Sequence, residues 1–143
     1  MAIIVHQISI EATPARVFSL VSAADGFAEW WAEDVSAAAD GSVDLGFFNR
    51  ATVYRLRPQT QLAASHAVWI CETGKDWAGT QLSFDLAPAK SGTTLRFRHA
   101  NWKEVSDYFV SCNTTWGGLL FRLKAAAEGR RPGPLFLKGS MAH

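Results

Sequence analysis

Hydrophobic and polar residues alternate along most of the chain, which is the pattern of half-buried strands. Ile4, Ile8 and Ile10 share one parity, and the β-branched run over residues 3–10 predicts a first strand. The same period of two predicts further strands over residues 43–47, 52–57, 62–71, 80–86 and 93–100. Pro58 is expected to end the strand before it, because proline cannot donate to a sheet. The last two strands are expected to form a hairpin.

Helical spacing interrupts this pattern twice, first as two short helices after the first strand. Thr13 is a suitable N-cap and Pro14 suits the first helical position, so a helix is expected to begin there. Asp25 is expected to cap a second short helix. That helix would carry three aromatic residues: Phe27, Trp30 and Trp31.

The last element is predicted to be one long helix over residues 104–128. Apolar residues recur there at i, i+3, i+4 and i+7, at Val105, Tyr108, Phe109, Cys112, Trp116, Leu119, Leu120 and Leu123. Gly117 and Gly118 fall within the helix, where we expect a kink or a close backbone contact. Gly129 is expected to end it.

This order of elements predicts an α+β fold with a single domain over residues 1–129. Residues 130–143 are expected to form an irregular tail, and residues 139–143 resemble a cloning remnant without function. A curved sheet with one apolar face needs a cover, and the long helix is the element large enough to provide it. One helix covers a wide sheet incompletely, so the remaining space is either filled with aromatic side chains or left as a cavity.

Charge and cysteine content narrow the classes of function. Fourteen basic and 13 acidic residues give a net charge of +1, so we expect neither nucleic-acid binding nor attraction to an anionic membrane. The N-terminus lacks the basic start and long apolar run of a signal peptide, and no stretch is long enough for membrane insertion. A cytoplasmic protein is expected, which the two cysteines, Cys71 and Cys112, also fit.

Several segments, taken together and in order, resemble the START/Bet v1-like superfamily, and within it the activator of Hsp90 ATPase homologues. These are residues 10–18, Trp30 with Trp31, the hairpin over 79–99, Asn101 with Trp102, and Trp116 with Gly117 and Leu123. The resemblance implies a helix-grip fold, in which a curved antiparallel sheet wraps around a long C-terminal helix and encloses a pocket. Members of the superfamily bind lipids or hormones, cyclise polyketides or assist chaperones, so the fold alone does not imply the function.

The predicted function is binding of a small apolar or aromatic ligand between the sheet and the long helix. The expected walls are Phe84, Phe97, Cys112, Trp116 and one of Trp30 or Trp31, because neighbouring residues on a helix point about 100° apart. Three residues are expected to orient a polar end of the ligand: His66, His99 and Tyr108. The alternative for His99 is a structural role, in which it bonds the loop at residues 101–102. The sequence does not determine which face of the sheet His66 lies on.

Two other functions remain as alternatives. The first is a cyclase or hydrolase that uses His99 or His66 as its base. The second is a chaperone-linked interaction module, for which a loop residue such as Trp77 would be a docking ring if it were exposed. We expect no additional N-terminal domain of the kind typical of such cochaperones, which speaks against that module.

No cofactor or metal is expected, because the chain has no phosphate-binding loop and no histidine or cysteine pair at zinc-ligand spacing. We expect Cys112 to be a small hydrophobic residue rather than a nucleophile. An exposed strand edge would allow a homodimer.

Overall fold

The computed structural model describes residues 2–138 and contains, within them, one seven-stranded antiparallel sheet and three helices. In chain order the elements are β1 (Ala2–Ile10), α1 (Pro14–Val21), α2 (Ala24–Ala28), β2 (Asp34–Ala37), β3 (Val43–Phe47), β4 (Thr52–Leu62), β5 (His66–Cys71), β6 (Gln81–Ala89), β7 (Gly92–Trp102) and α3 (Asp107–Ala127). The strand order across the sheet is β1-β7-β6-β5-β4-β3-β2. The predicted α+β architecture, a curved sheet around a long C-terminal helix with two short helices after the first strand, is confirmed. Residues 139–143, interpreted above as a remnant without function, lie outside the described part of the chain.

The ends of the two longer helices follow from local chemistry. The Thr13 side chain accepts a hydrogen bond from the Arg16 backbone N–H at 3.2 Å, as predicted for an N-cap. Ser106 caps α3 in the same way, with its hydroxyl accepting from Phe109 at 3.1 Å. Gly129 has a φ of 86°, a left-handed conformation that ends a helix at low cost for glycine.

The strands differ from the sequence prediction at one proline, at one turn, and at β2 (Asp34–Ala37), a short edge strand that the sequence pattern did not predict. Pro58 does not end β4, which continues to Leu62. The register shifts between Pro58 and Thr60, and this irregularity accommodates the missing N–H. The predicted strand over 62–71 is broken by a turn at residues 63–65, where Ala64 has a φ of 60°. An alanine in the left-handed region gives no sequence signal, so this turn was not predicted.

Trp30 and Trp31 are both buried, although neighbouring residues on one helix would point about 100° apart. Helix α2 ends at Ala28, and the two tryptophans lie in the turn that follows rather than on the helix. The Trp30 indole N–H donates to the Leu20 carbonyl at 2.9 Å, and the two indole rings stack with centroids 5.6 Å apart. Asp25 does not cap α2; Ala23 occupies the N-cap position.

The segment after α3, predicted as an irregular tail, is hydrogen-bonded to the turn that carries the two tryptophans. The backbone N–H of Leu135 donates to Trp30 at 3.1 Å, and that of Phe136 donates to Trp31 at 3.0 Å. The N–H of Glu33 returns to the Phe136 carbonyl at 2.8 Å. These bonds hold the Phe136 side chain in a buried position against the domain.

Helix α3 runs as one continuous element through its glycine pair. A methyl group at Gly118 would meet nothing within 4 Å, and one at Gly117 would meet only the His6 ring at 3.9 Å. The predicted close backbone contact is therefore absent. Among residues 2–138 no helix is both long and apolar enough to cross a membrane.

Candidate ligand-binding site

A cavity of about 240 Å³ lies at the β3–β4 side of the sheet, under the N-terminal half of α3. Eight of its thirteen lining residues are aromatic: Trp31, Phe47, Phe48, Tyr54, Trp77, Tyr108, Trp116 and Phe136. The other five are Thr52, Asp76, Cys112, Thr115 and Leu119. The wall therefore combines large apolar rings with a few polar groups, which is the usual composition of a small-molecule site.

Alternation along the strands and the spacing of residues on α3 direct these side chains towards the cavity. Phe47 pairs with Thr52 across the β3–β4 hairpin, and Tyr54 lies two residues further along on the same face. Their aromatic rings, Phe47 and Tyr54, have centroids 5.6 Å apart. On α3, Tyr108 and Cys112 are four residues apart and so share the face that points at the cavity.

Two tyrosine hydroxyls form the main polar group of the cavity. Tyr54 and Tyr108 approach with their oxygens 2.7 Å apart, so one hydroxyl donates to the other. Burial raises the pKa of both phenols, and both are neutral at physiological pH. A pair of neutral hydroxyls that shares one hydrogen bond keeps a second proton, which can be donated to a ligand oxygen.

The ring of Trp77 completes the wall beside this pair. It stacks on Tyr54 with centroids 4.3 Å apart and an interplanar angle of 4°. Gly74, with a φ of 106°, lets the loop approach this stack, since a methyl group there would overlap the Tyr54 ring. Trp77 is only 5% exposed, so it packs in the core and is not an exposed docking ring.

Burial raises the pKa of the Cys112 thiol. The thiol is therefore protonated at neutral pH, which suits a small apolar wall residue better than a nucleophile. Across residues 2–138 no cluster of three or more histidine, cysteine or acidic residues could hold a metal ion.

His99 is fully buried and lies outside the cavity. Its Nδ1 accepts from the Trp116 indole N–H at 3.1 Å, so Nε2 carries the proton and donates to the Thr80 hydroxyl at 2.9 Å. Thr80 in turn donates to the Trp77 carbonyl at 2.6 Å. Burial lowers the pKa of His99 to about 3. Both ring nitrogens are thus occupied in a neutral, structural imidazole, with partners other than the expected loop at residues 101–102.

The structure brings some of the predicted site residues to the cavity and places others elsewhere. Four of them line it: Trp31, Tyr108, Cys112 and Trp116. Three are buried in the core and do not line it: Trp30, Phe84 and Phe97. His66 lies on the opposite face of the sheet, because Ala67 and Trp69 alternate with it and are the residues that face inward.

Several lining residues were not predicted. Phe47 and Tyr54 share the parity of the buried Leu45 and Leu56, so strand alternation could have identified them. Asp76 and Phe136 lie outside regular strands and helices, where periodicity carries no information.

A curved antiparallel sheet that holds a long C-terminal helix, with a cavity between the two, defines a helix-grip fold. The chain belongs to the Activator of Hsp90 ATPase homolog 1-like protein family, whose model matches residues 11–128.

Solved structures agree with this assignment. The chain is similar to the Aha1 dimer from Colwellia psychrerythraea, with 29% identity, a TM-score of 0.81, and 92% of this chain and 99% of that one covered. It shares its fold with a START superfamily protein from Mycobacterium smegmatis, at 15% identity and a TM-score of 0.66, covering 88% of this chain and 97% of that one. No curated protein sequence matches the chain.

Proposed function

We propose that the protein binds a small, mainly apolar ligand in the cavity between β3, β4 and α3. The observation that carries this proposal is the cavity itself, whose wall contains eight aromatic side chains and a pair of neutral hydroxyls. Burial of apolar ligand surface against such rings supplies affinity, and the few polar groups supply orientation.

The proposed anchor for a polar end of the ligand is the Tyr54–Tyr108 pair. Its second proton is available to a carbonyl or hydroxyl oxygen of the ligand. This is the role that the sequence suggested for His99, whose two nitrogens are already bonded to Trp116 and Thr80.

The two alternative functions have less support. The cyclase or hydrolase expected above would use His66 or His99 as its base, and neither histidine lines the cavity. A chaperone-linked module is suggested by the family description, but the loop ring expected to dock, Trp77, is buried.

A matched pair of variants tests the proposal with the neutral fluorescent probe N-phenyl-1-naphthylamine. Thr115 lines the cavity, whereas its neighbour Thr114 is exposed on the solvent side of α3. Thr115→Phe should fill part of the cavity and weaken probe binding by about tenfold or more. Thr114→Phe should bind like the wild type.

Native mass spectrometry of the purified protein would complement the titration, since a mass lost on denaturation identifies an occupant. Absence of saturable probe binding to the wild type, or an equal effect of the two variants, would contradict a ligand function for this cavity.

We also propose that the chain forms a homodimer. The Colwellia relative is a dimer, and β1 is an edge strand whose outer side exposes Ile3 and Val5. Exposed apolar groups on an edge strand favour pairing with a second copy. Sedimentation velocity on the sample used for probe binding would decide between monomer and dimer.

A further inference from the structure

The cavity has a pronounced charge asymmetry. Among its lining residues there is no lysine, arginine or histidine, and the single acidic side chain is Asp76. The other ionisable groups on the wall are two phenols and a thiol, which are neutral as described above. A bound ligand would therefore meet one carboxylate and no cation from the wall.

The Asp76 carboxylate is available for such a ligand. It is exposed at the mouth of the cavity and forms no ion pair within residues 2–138. Asp76 also lines a smaller neighbouring cavity of about 60 Å³, together with Lys75, Lys103 and Glu104. None of these three residues lines the main cavity, and neither lysine forms an ion pair with Asp76.

The charge of Asp76 also acts inside the cavity. After burial itself, which is the main cause, the negative charge of Asp76 adds to the raised pKa values of Tyr54 and Cys112. A negative electrostatic potential at Tyr54 and Cys112 would also stabilise a positive charge bound in the cavity.

The aromatic wall favours the same kind of ligand. Three indole rings lie close together: Trp116 is 4.9 Å from Trp31 and 6.2 Å from Trp77 between centroids. The negative face of an indole attracts a cation within about 6 Å more strongly than the other aromatic side chains do. A primary ammonium would lose strong hydration on entering such an apolar space, whereas an alkylated ammonium buries its own apolar surface.

We propose that the cavity selects a ligand with an alkylated ammonium group over a neutral ligand of the same shape, with the tryptophans and the Asp76 carboxylate around the positive charge. This inference rests on the proposed binding function and specifies the chemical class of the ligand.

Choline and 3,3-dimethylbutan-1-ol test this selectivity. The two compounds have nearly the same shape, but the positively charged nitrogen of choline is a neutral carbon in the alcohol. Titration monitored by tryptophan fluorescence should give choline about tenfold tighter binding than the alcohol. Asp76→Asn should weaken choline binding about fivefold without changing the alcohol. Asp25→Asn, which removes an exposed carboxylate on α2, is the matched control and should change neither.

The outcomes separate this inference from the binding function. Equal or tighter binding of the alcohol overturns the selectivity, as does a failure of choline to bind. In either case saturable binding of N-phenyl-1-naphthylamine would leave the proposed function standing. If none of the three compounds binds, both proposals fail. If Asp76→Asn leaves choline binding unchanged, the proposal that the Asp76 carboxylate attracts the positive charge is wrong.

Discussion

His99 shows how one buried side chain can connect three parts of this fold. It lies on β7, accepts from Trp116 on α3, and donates to Thr80, which holds the loop carrying Trp77. Each ring nitrogen has a partner, so the cost of burying the imidazole is offset by hydrogen bonds. His99 therefore positions two walls of the cavity, Trp77 and Trp116, without facing it.

The buried neutral state of His99 should make folding stability depend on pH. Its pKa is about 3 in the folded protein and about 6.5 in an unfolded chain. Between these values the unfolded state binds more protons, so the free energy of unfolding should decrease as the pH falls below 6.5. The expected loss from this group is about 1.4 kcal/mol per pH unit.

Urea denaturation at several pH values would measure this dependence. His99→Gln should lose the pH dependence of the free energy of unfolding between pH 6.5 and 5. His66→Gln, on the outer face of the sheet, should retain this pH dependence. Imidazole NMR of the wild type gives a second readout that does not require a folded variant. A His99 ring that is protonated at pH 5.5 in the native protein would refute the assignment.

At the scale of elements, two helical glycines differ in how closely other atoms approach them. Gly26 on α2 faces the backbone of α1: a methyl group there would overlap the Ser19 carbonyl oxygen and lie 2.6 Å from Leu20 Cα. Gly118 on α3 has nothing within 4 Å of the same position. The first glycine allows two helices to pack closely, and the second only lowers helix propensity.

Alanine substitutions should therefore change stability in opposite directions. Gly26→Ala should lower the free energy of unfolding by about 3 kcal/mol, because backbone atoms cannot move aside without separating α1 from α2. Gly118→Ala should raise it by about 1 kcal/mol through better helix propensity. Denaturant midpoints of the two variants measure both effects, and a wild-type midpoint for Gly26→Ala would show that this helix contact is not tight.

At the scale of the whole molecule, the segment after α3 contributes to the cavity. Phe136 lines it, packs edge-on against Phe47 at 5.2 Å between centroids, and is bonded through its backbone to Glu33 and Trp31. The segment that follows the long helix thus supplies part of the cavity wall.

Phe136→Ala should lower the free energy of unfolding by about 3 kcal/mol, because it removes a large buried ring. It should also weaken binding of N-phenyl-1-naphthylamine, since one wall of the cavity is lost. Leu137→Ala is the control: this neighbour is 56% exposed, and its truncation should cost less than about 0.5 kcal/mol. Equal effects of the two changes on unfolding would show that the segment is not attached in solution.

Apart from the short strand β2, the order of elements was predictable from local pattern alone. Alternation along β3, β6 and β7 identifies inward residues such as Leu45 and Phe97, because strand side chains alternate strictly between the two faces. Helical spacing likewise placed Tyr108, Cys112 and Trp116 on one face of α3, and all three line the cavity. These features depend only on neighbours within one element.

Tertiary structure decided which of the inward residues enclose empty space and which fill the core. Phe84 and Phe97 face inward as Tyr54 does, yet only Tyr54 lines the cavity. The ring of Trp30 packs against Phe84, and that of Trp116 packs against Phe97, so the space beside these two residues is filled. His99 became a structural group once Thr80 and Trp116, distant in sequence, occupied its nitrogens. Asp76 and Phe136 reach the cavity through a loop and a terminal segment, whose paths no residue periodicity encodes. Alternation within one element fixes which way a side chain points, but the packing of distant segments determines what it meets there.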